Sequence, residues 1–292
     1  MHSPEALTVN VVTQNALLDY GRTKKKLILP QRQRIASLGA TIANQFPGEL
    51  DVVGIQEAHL DKGFHNGQAL AEMCGYGSGF WVNHNKKPEN QPDSKTGRPG
   101  EYIGMFGSLV EDIEEIKLDA NRSAVATIIA GVAFVTLHLR HGAGLESIAE
   151  RAAEAKALTD YVSDYDNAVL YGDYNEPLMR LPYLRRYTPA RSHVAKHGFK
   201  SAFELTGQKS PLTCPIEPYI PLFRNTKGWQ GKFIHRGWAL DDILVRGPRI
   251  RVIAAGVLDR VIVHENPGEY PAGVPLEGSD HDGLWATLQI AA

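Results

Sequence analysis

Six short stretches end in side chains that folding alone does not call for. They are Gln14-Asn15 after 11–13, Gln56-Glu57 after 53–55, His138 after 135–137, and Asp173-Tyr174-Asn175 after 169–172. Later come Asp241-Asp242 ahead of 243–245 and Ser279-Asp280-His281. Taken together they supply carboxylates, amides and two histidines, with no thiolate. Oxygen donors of this kind suit a hard divalent cation, Mg²⁺ or Mn²⁺, rather than zinc. A cation among acids, with imidazoles placed to move protons, suits attack by water on a phosphorus centre, because the metal neutralises phosphoryl charge and activates water.

Such a set works only if rigid elements hold it. Alternation and β-branched residues predict strands at 8–12, 52–55, 102–110, 124–129, 132–138, 168–171, 241–245, 251–255 and 284–290. Residues 124–137 read as two paired strands, interrupted by Ala130-Gly131. Helices are predicted at 32–46, where Ile35, Leu38, Ile42 and Phe46 share a face and Pro47-Gly48 ends the run, and at 145–162. Cys74 falls in a further short helix. Residues 83–100 and 212–232 read as loops, and 177–203 as basic and irregular. The expected fold class is α+β, sheets packed face to face with helices outside. With no repeat or linker in view, residues 1–292 read as one domain.

Composition narrows the class. The chain has 292 residues, 43% hydrophobic and 22% charged, the balance of a globular enzyme rather than a disordered or fibrous chain. Thirty-one Lys and Arg against 33 Asp and Glu give a net charge of −2, so global charge advertises no polyanion partner. Two cysteines, Cys74 and Cys214, cannot make a disulfide framework or a four-thiolate zinc site. No signal peptide or apolar span is visible, and the expectation is a soluble, cytoplasmic protein.

The blocks TQN, IQE, LHL, GDYN, LDDILV and SDH stand in the order found in the endonuclease/exonuclease/phosphatase superfamily, and from Val9 to Leu288 the chain resembles that family. The resemblance implies a deoxyribonuclease-I-like fold: a four-layer α/β/β/α sandwich of two mixed sheets with outer helices. It makes Glu57 the principal metal ligand with Asn15 beside it, and Asp280 a further ligand or nearby acid. Asp173 and Asn175 resemble the pair that orients water and binds phosphate. His281 resembles the general base or phosphate-polarising imidazole, with Asp241 as its carboxylate partner. His138 follows a strand as in deoxyribonuclease I and the neutral sphingomyelinases; Glu101 stands where a supporting glutamate would, and Arg122 resembles a phosphate-contacting arginine.

Departures from the family pattern bear on the substrate. Apurinic endonucleases carry an acid two residues after the first Asn, where this chain has Leu17, and they lack the histidine at 138. Where the family has an aromatic after the late Asp, this chain has Asp242; strand alternation puts Asp241 on the face of Ile243 and Val245, as in the family, and the resemblance therefore selects Asp241. Residues 177–203 hold Arg180, Arg185, Arg186, Arg191, Lys196 and Lys200 without an acid, either a phosphate-binding rim or a solvated surface. The aromatic loop 218–233 fits a membrane contact, base stacking or buried packing. Residues 198–205 followed by Pro211-Leu212-Thr213 resemble a segment of deadenylase-like members. The reading that follows is an Mg²⁺- or Mn²⁺-dependent phosphodiesterase acting on nucleic acid or nucleotides. The alternatives are a phospholipid or inositol-phosphate enzyme, and a non-catalytic binding domain on the same fold.

Overall fold

The computed structural model describes residues 6–16, 31–61, 64–84, 101–142, 144–176, 188–213, 239–259 and 281–292. In chain order the elements are β1 (Leu7–Asn15), α1 (Gln31–Gln45), β2 (Val52–Asp61), β3 (Phe64–His65), α2 (Asn66–Met73), β4 (Phe80–Asn83), β5 (Glu101–Phe106), β6 (Glu114–Lys117), β7 (Ser123–Ile129) and β8 (Val132–His138). Then follow α3 (Leu145–Tyr161), β9 (Ala168–Asp173), α4 (Pro189–Lys196), β10 (Lys200–Ser201), α5 (Ala202–Leu205), β11 (Asp241–Arg246), β12 (Ile250–Val257) and β13 (Leu284–Ile290).

One sheet runs β12-β13-β1-β2-β5-β4, with β3 against the end of β2; the other runs β10-β11-β9-β8-β7-β6. Both are mixed. The β1–β2 and β8–β9 pairs are parallel, and their neighbours are antiparallel.

Three apolar clusters make the four layers. Val9, Val11, Val52, Ile103 and Met105 of the first sheet meet Val125, Phe134, Val169, Tyr171 and Ile243 of the second. The outer face of the first sheet packs Val12, Val53 and Ile55 on Ile35, Leu38 and Ile42 of α1 and Leu70 of α2. Outside the second sheet, Val135, Leu137 and Leu170 lie against Ala155 and Leu158 of α3 and Val194 of α4. This is the deoxyribonuclease-I-like sandwich. No helix among the described residues is long and apolar enough to cross a membrane.

Two glycines permit close approaches under the polar strand ends, one between the sheets and one between neighbouring strands of the second sheet. A Cβ on Gly54 would stand 2.4 Å from Thr136 Oγ1 and 2.5 Å from Tyr171 Cε2, so only hydrogen lets the sheets close there. Gly172 has φ +140°, and a Cβ there would meet Leu137 O at 2.0 Å. Between the sheets, Gln56 donates to Thr136 Oγ1 at 2.9 Å and accepts from Thr13 Oγ1 at 3.2 Å.

Several local expectations shift. The strand expected over 102–110 stops at Phe106, where Gly107 turns and Ser108 N–H bonds back to Leu50 O. Residues 189–196, expected irregular, form α4. Pro189 presets its first turn, and Ala190, Arg191 and Val194 bury one face. Strands β4 and β6 add to the expected set. Both are four-residue edge strands, too short for alternation to register. The Ala130-Gly131 break is the left-handed turn between β7 and β8, with φ +50° and +77°.

Candidate active site

Strand register brings the polar ends together. His138 on β8 pairs with Asp173 on β9, and Asp173 pairs with Asp241 on β11, a row of three across the second sheet. From the first sheet, Asn15 ends β1 beside Gln56 of β2. The β2–β5 register shifts between Ile55 and Ala58, a bulge that adds a residue and re-aims the chain. Within it Glu57 takes the left-handed φ of +53°, a conformation that costs a non-glycine residue energy and is held only where the surroundings impose it. Asn175, at φ +49°, is a second such residue.

The side chains converge from both sheets. Asn15 Nδ2 donates to Glu57 Oε1 at 3.0 Å and to Asp173 Oδ2 at 3.2 Å. His138 Nε2 stands 3.7 Å from each of those carboxylates, while its Nδ1 meets Glu101 Oε1 at 2.7 Å. On the other side His281 Nδ1 meets Asp241 Oδ2 at 2.7 Å and lies 3.9 Å from Asp173 Oδ2. The result is a carboxylate–amide centre flanked by two imidazoles, each backed by its own acid. One ligand atom each from Glu57, His138 and Asp173 lies within 4.8 Å of the others, as does one each from Asp173, Asp241 and His281. The oxygen-dominated donor set fits a hard divalent cation.

Electrostatics separates the groups. Burial opposes charge on His138, but Glu101, Asp173 and Glu57 outweigh it and raise its pKa. Burial likewise opposes ionisation of Glu101, yet His138, His84 and Arg122 hold its carboxyl below the usual range. Asp241 is pushed up, by burial first and then by Asp173, against the pull of His281 and Thr213.

His84 is the site neighbour that sequence reasoning missed. It just follows β4, fully buried, with its ring stacked on His138 at 5.3 Å and 14°. Its Nδ1 bonds Ser123 O at 2.7 Å, and its Nε2 has no hydrogen-bond partner among the described residues. Burial, then Arg122, pushes its pKa well down, so the ring is neutral. His84, Glu101 and His138 also bring three ligand atoms together. The single carboxylate there already faces both His138 and the Arg122 guanidinium, a poor setting for a divalent ion.

Placement of the remaining expected residues differs in kind. Asp242 points the other way, to Arg191 Nη1 at 2.9 Å and Ser201 Oγ at 2.8 Å, which leaves Asp241 facing the site. Arg191 is therefore no rim residue: its guanidinium is buried and also holds Glu176 O, Ala239 O and Leu240 O. Lys196 and Lys200 are exposed, whereas Arg180, Arg185 and Arg186 lie outside the described residues. Arg122, expected on a substrate phosphate, is instead buried behind the site. Its Nη2 donates to His138 O at 2.8 Å and its Nε lies 3.3 Å from Glu154, a carboxylate that α3 brings in and no sequence block marks. Asn175 donates to Leu139 O at 2.8 Å, and its backbone N–H to Asp173 Oδ1 at 2.7 Å. Asp280 and the loop 218–233 also lie outside the described residues.

The neutral His84 has a consequence for acid stability. The unfolded chain takes up that proton near 6.5, the ordinary value, while the folded site refuses it to lower pH. Stability from this residue is thus complete above 6.5 and declines as pH falls below it. His138, with its raised pKa, acts in the opposite sense and only above 6.5. Urea unfolding of wild type and His84→Leu at pH 7 and pH 5 is expected to give a shallower acid loss in the variant, by up to about 1.4 kcal/mol per pH unit. Equal pH slopes would refute the assignment of a neutral buried His84.

Comparison with solved structures gives the fold independently. A family protein from Bacteroides thetaiotaomicron matches with a TM-score of 0.64 at 14% identity, over 99% of this chain and 100% of that one. The 3′ phosphatase NExo from Neisseria, bound to a product DNA hairpin, matches at TM-score 0.55 and 15% identity over 95% and 98%. TDP2 from D. rerio, complexed with a single-strand DNA product, matches at TM-score 0.57 and 15% identity over 96% and 98%. No match was found among curated proteins. The model of the Endonuclease/Exonuclease/phosphatase family matches residues 13–281, a span running from the end of β1 to His281, and the chain belongs to that family.

Proposed function

We propose that the chain is a divalent-metal-dependent phosphodiesterase acting on nucleic acid or nucleotides, with residues 1–292 as one catalytic domain. The observation that carries this is the Asn15–Glu57–Asp173 centre set between two histidine–carboxylate pairs. Members of the family are phosphoric ester hydrolases; the cofactor, the substrate and the residue roles are particular to this chain.

Glu57 and Asn15, with Asp280, would hold Mg²⁺ or Mn²⁺. When bound, such a cation neutralises charge on the phosphoryl oxygens. The chain's own groups do the rest. Asp173 lies between both histidines and can accept a hydrogen bond from water, orienting it for in-line attack. His281, its Nδ1 held by Asp241, offers Nε2 to take or give a proton. His138, whose proton affinity Glu101 raises, would present Nε2–H to a phosphoryl oxygen when protonated, with Asn175 alongside. Arg122 acts one step back, fixing the His138 backbone.

Hydrolysis of bis(p-nitrophenyl) phosphate, abolished by EDTA and restored by Mg²⁺ or Mn²⁺, is the expected result. A chain that binds the diester without turning it over would be the binding domain instead. The DNA products seen with NExo and TDP2 favour a polynucleotide. If Arg185 and Arg186 reach phosphates beyond the scissile one, replacing both with Ala should weaken polynucleotide binding. It should also flatten the salt dependence by about one unit of log–log slope for each arginine taken off a phosphate, and spare the small diester. Unchanged cleavage of polynucleotide at every salt concentration would remove the rim and favour small nucleotides. Dependence on vesicles and on Trp229 would favour a phospholipid.

A further inference from the structure

Thr213 is completely buried, and it is bonded both to Asp241 and to Asp282, the residue that follows His281. Its hydroxyl oxygen accepts two adjacent backbone donors, Leu240 N–H and Asp241 N–H, each at 3.0 Å. Thr213 also pulls the Asp241 pKa down, against the burial that raises it. A threonine hydroxyl oxygen has two acceptor sites, and both are engaged, one by Asp241 and one by its neighbour. From the backbone side, Thr213 O accepts Asp282 N–H at 2.7 Å, which fixes the turn immediately after His281.

The two partners approach from different sheets, Asp241 at the head of β11 and His281 just before β13. Their 2.7 Å contact therefore depends on the relative placement of two strand ends that do not pair with each other. Arg191 and Tyr174 N–H hold the far side of 239–240 through its carbonyls, but neither touches the His281 turn. Among the described residues, Thr213 spans the gap.

We infer that Thr213 is a positioning residue for the His281–Asp241 pair, registering the carboxylate and imidazole through its hydroxyl and its carbonyl. The inference rests on the proposed phosphodiesterase reading for its kinetic test and on the geometry for its structural one. A misplacement of about 1 Å can cost on the order of 10²-fold in rate, so the effect should fall on kcat.

Thr213→Val keeps the shape and removes the hydroxyl; Thr213→Ser keeps the hydroxyl. With bis(p-nitrophenyl) phosphate and Mg²⁺, the valine variant is expected to lose up to about 100-fold in kcat with KM within about twofold. Serine is expected to restore wild-type turnover. In an Asp241→Asn background the valine change should add little further loss, because the pair it serves is already broken. A valine variant that folds and turns over like wild type would overturn the inference, as would the same fold-loss in both backgrounds. Should valine fail to fold, amide hydrogen exchange on wild type decides: Leu240, Asp241 and Asp282 amides must exchange as one protected unit. Rapid exchange at Asp282 with protection at 240–241 would break the link. Absence of wild-type turnover would count against the phosphodiesterase reading alone and leave the exchange result to judge Thr213.

Discussion

Glu57→Gln should remove turnover while leaving the sandwich standing. Glutamine preserves the volume and an acceptor for Asn15 Nδ2, and it inherits the same φ of +53°, so backbone strain is unchanged. What it loses is charge at the one carboxylate that the β2 bulge turns into the centre. If that carboxylate holds the cation, the lost phosphoryl stabilisation is several kcal/mol; at about 4 kcal/mol the fall in kcat/KM is on the order of 10³-fold. Circular dichroism and thermal melting without metal should match wild type, and the protective effect of added Mg²⁺ on melting should vanish. A wild type fully active in chelator would end the metal mechanism and move the chemistry to the histidines alone.

His281→Ala should be nearly as severe. A group that moves a proton in the transition state typically contributes ~10²–10⁴-fold, and His281 is the imidazole whose orientation a buried carboxylate fixes at 2.7 Å. Asp241→Asn changes the partner without emptying the space, and it too should cost a large part of that factor. Since the two act as one unit, the double variant should be scarcely worse than the worse single one. Losses that simply multiply would separate Asp241 from His281. Asp242 could not take its place without releasing Arg191 and Ser201.

The sheets and most of the central cluster were legible because strand ends leave a mark in sequence. A β-branched run that stops at an amide or acid states both where the strand is and which end is polar. Asn15, Glu57 and Asp173 carry that mark, His138 ends its run in an imidazole and Asp241 opens one, and alternation together with the family pattern chose Asp241 over Asp242 by face. The choice holds because residue 242 falls on the side of Leu244, toward α4 and its Arg191. His84 carried no such mark. Its strand is four residues long, and what makes it matter is the ring of His138, 54 positions away. Arg122 shows the opposite failure. Its position was found but not its direction, because Glu154 arrives from a helix whose buried acid resembles any other in the sequence. Thr213 was visible only as part of a degenerate segment, since its partners are backbone amides and no residue type announces them.

The place of β13 has a consequence for how the site is assembled. This late strand lies between β12 and β1 and pairs with β1 along seven residues, from Leu7 against Ile290 to Thr13 against Leu284. His281 is fixed just ahead of it. The strands β6 to β9 and the helix α3 can form from near neighbours in sequence, and β1 finds β2 about 40 residues on, but its second partner lies more than 270 residues downstream. Until that partner arrives, Asp241 has no imidazole and the first sheet is open along β1. A chain cut before His281 would therefore leave Asp241 without the imidazole it meets in the folded protein. The His281–Asp241 contact is thus tied to the pairing of largest sequence separation among the described strands, and it should be among the last features to form on folding.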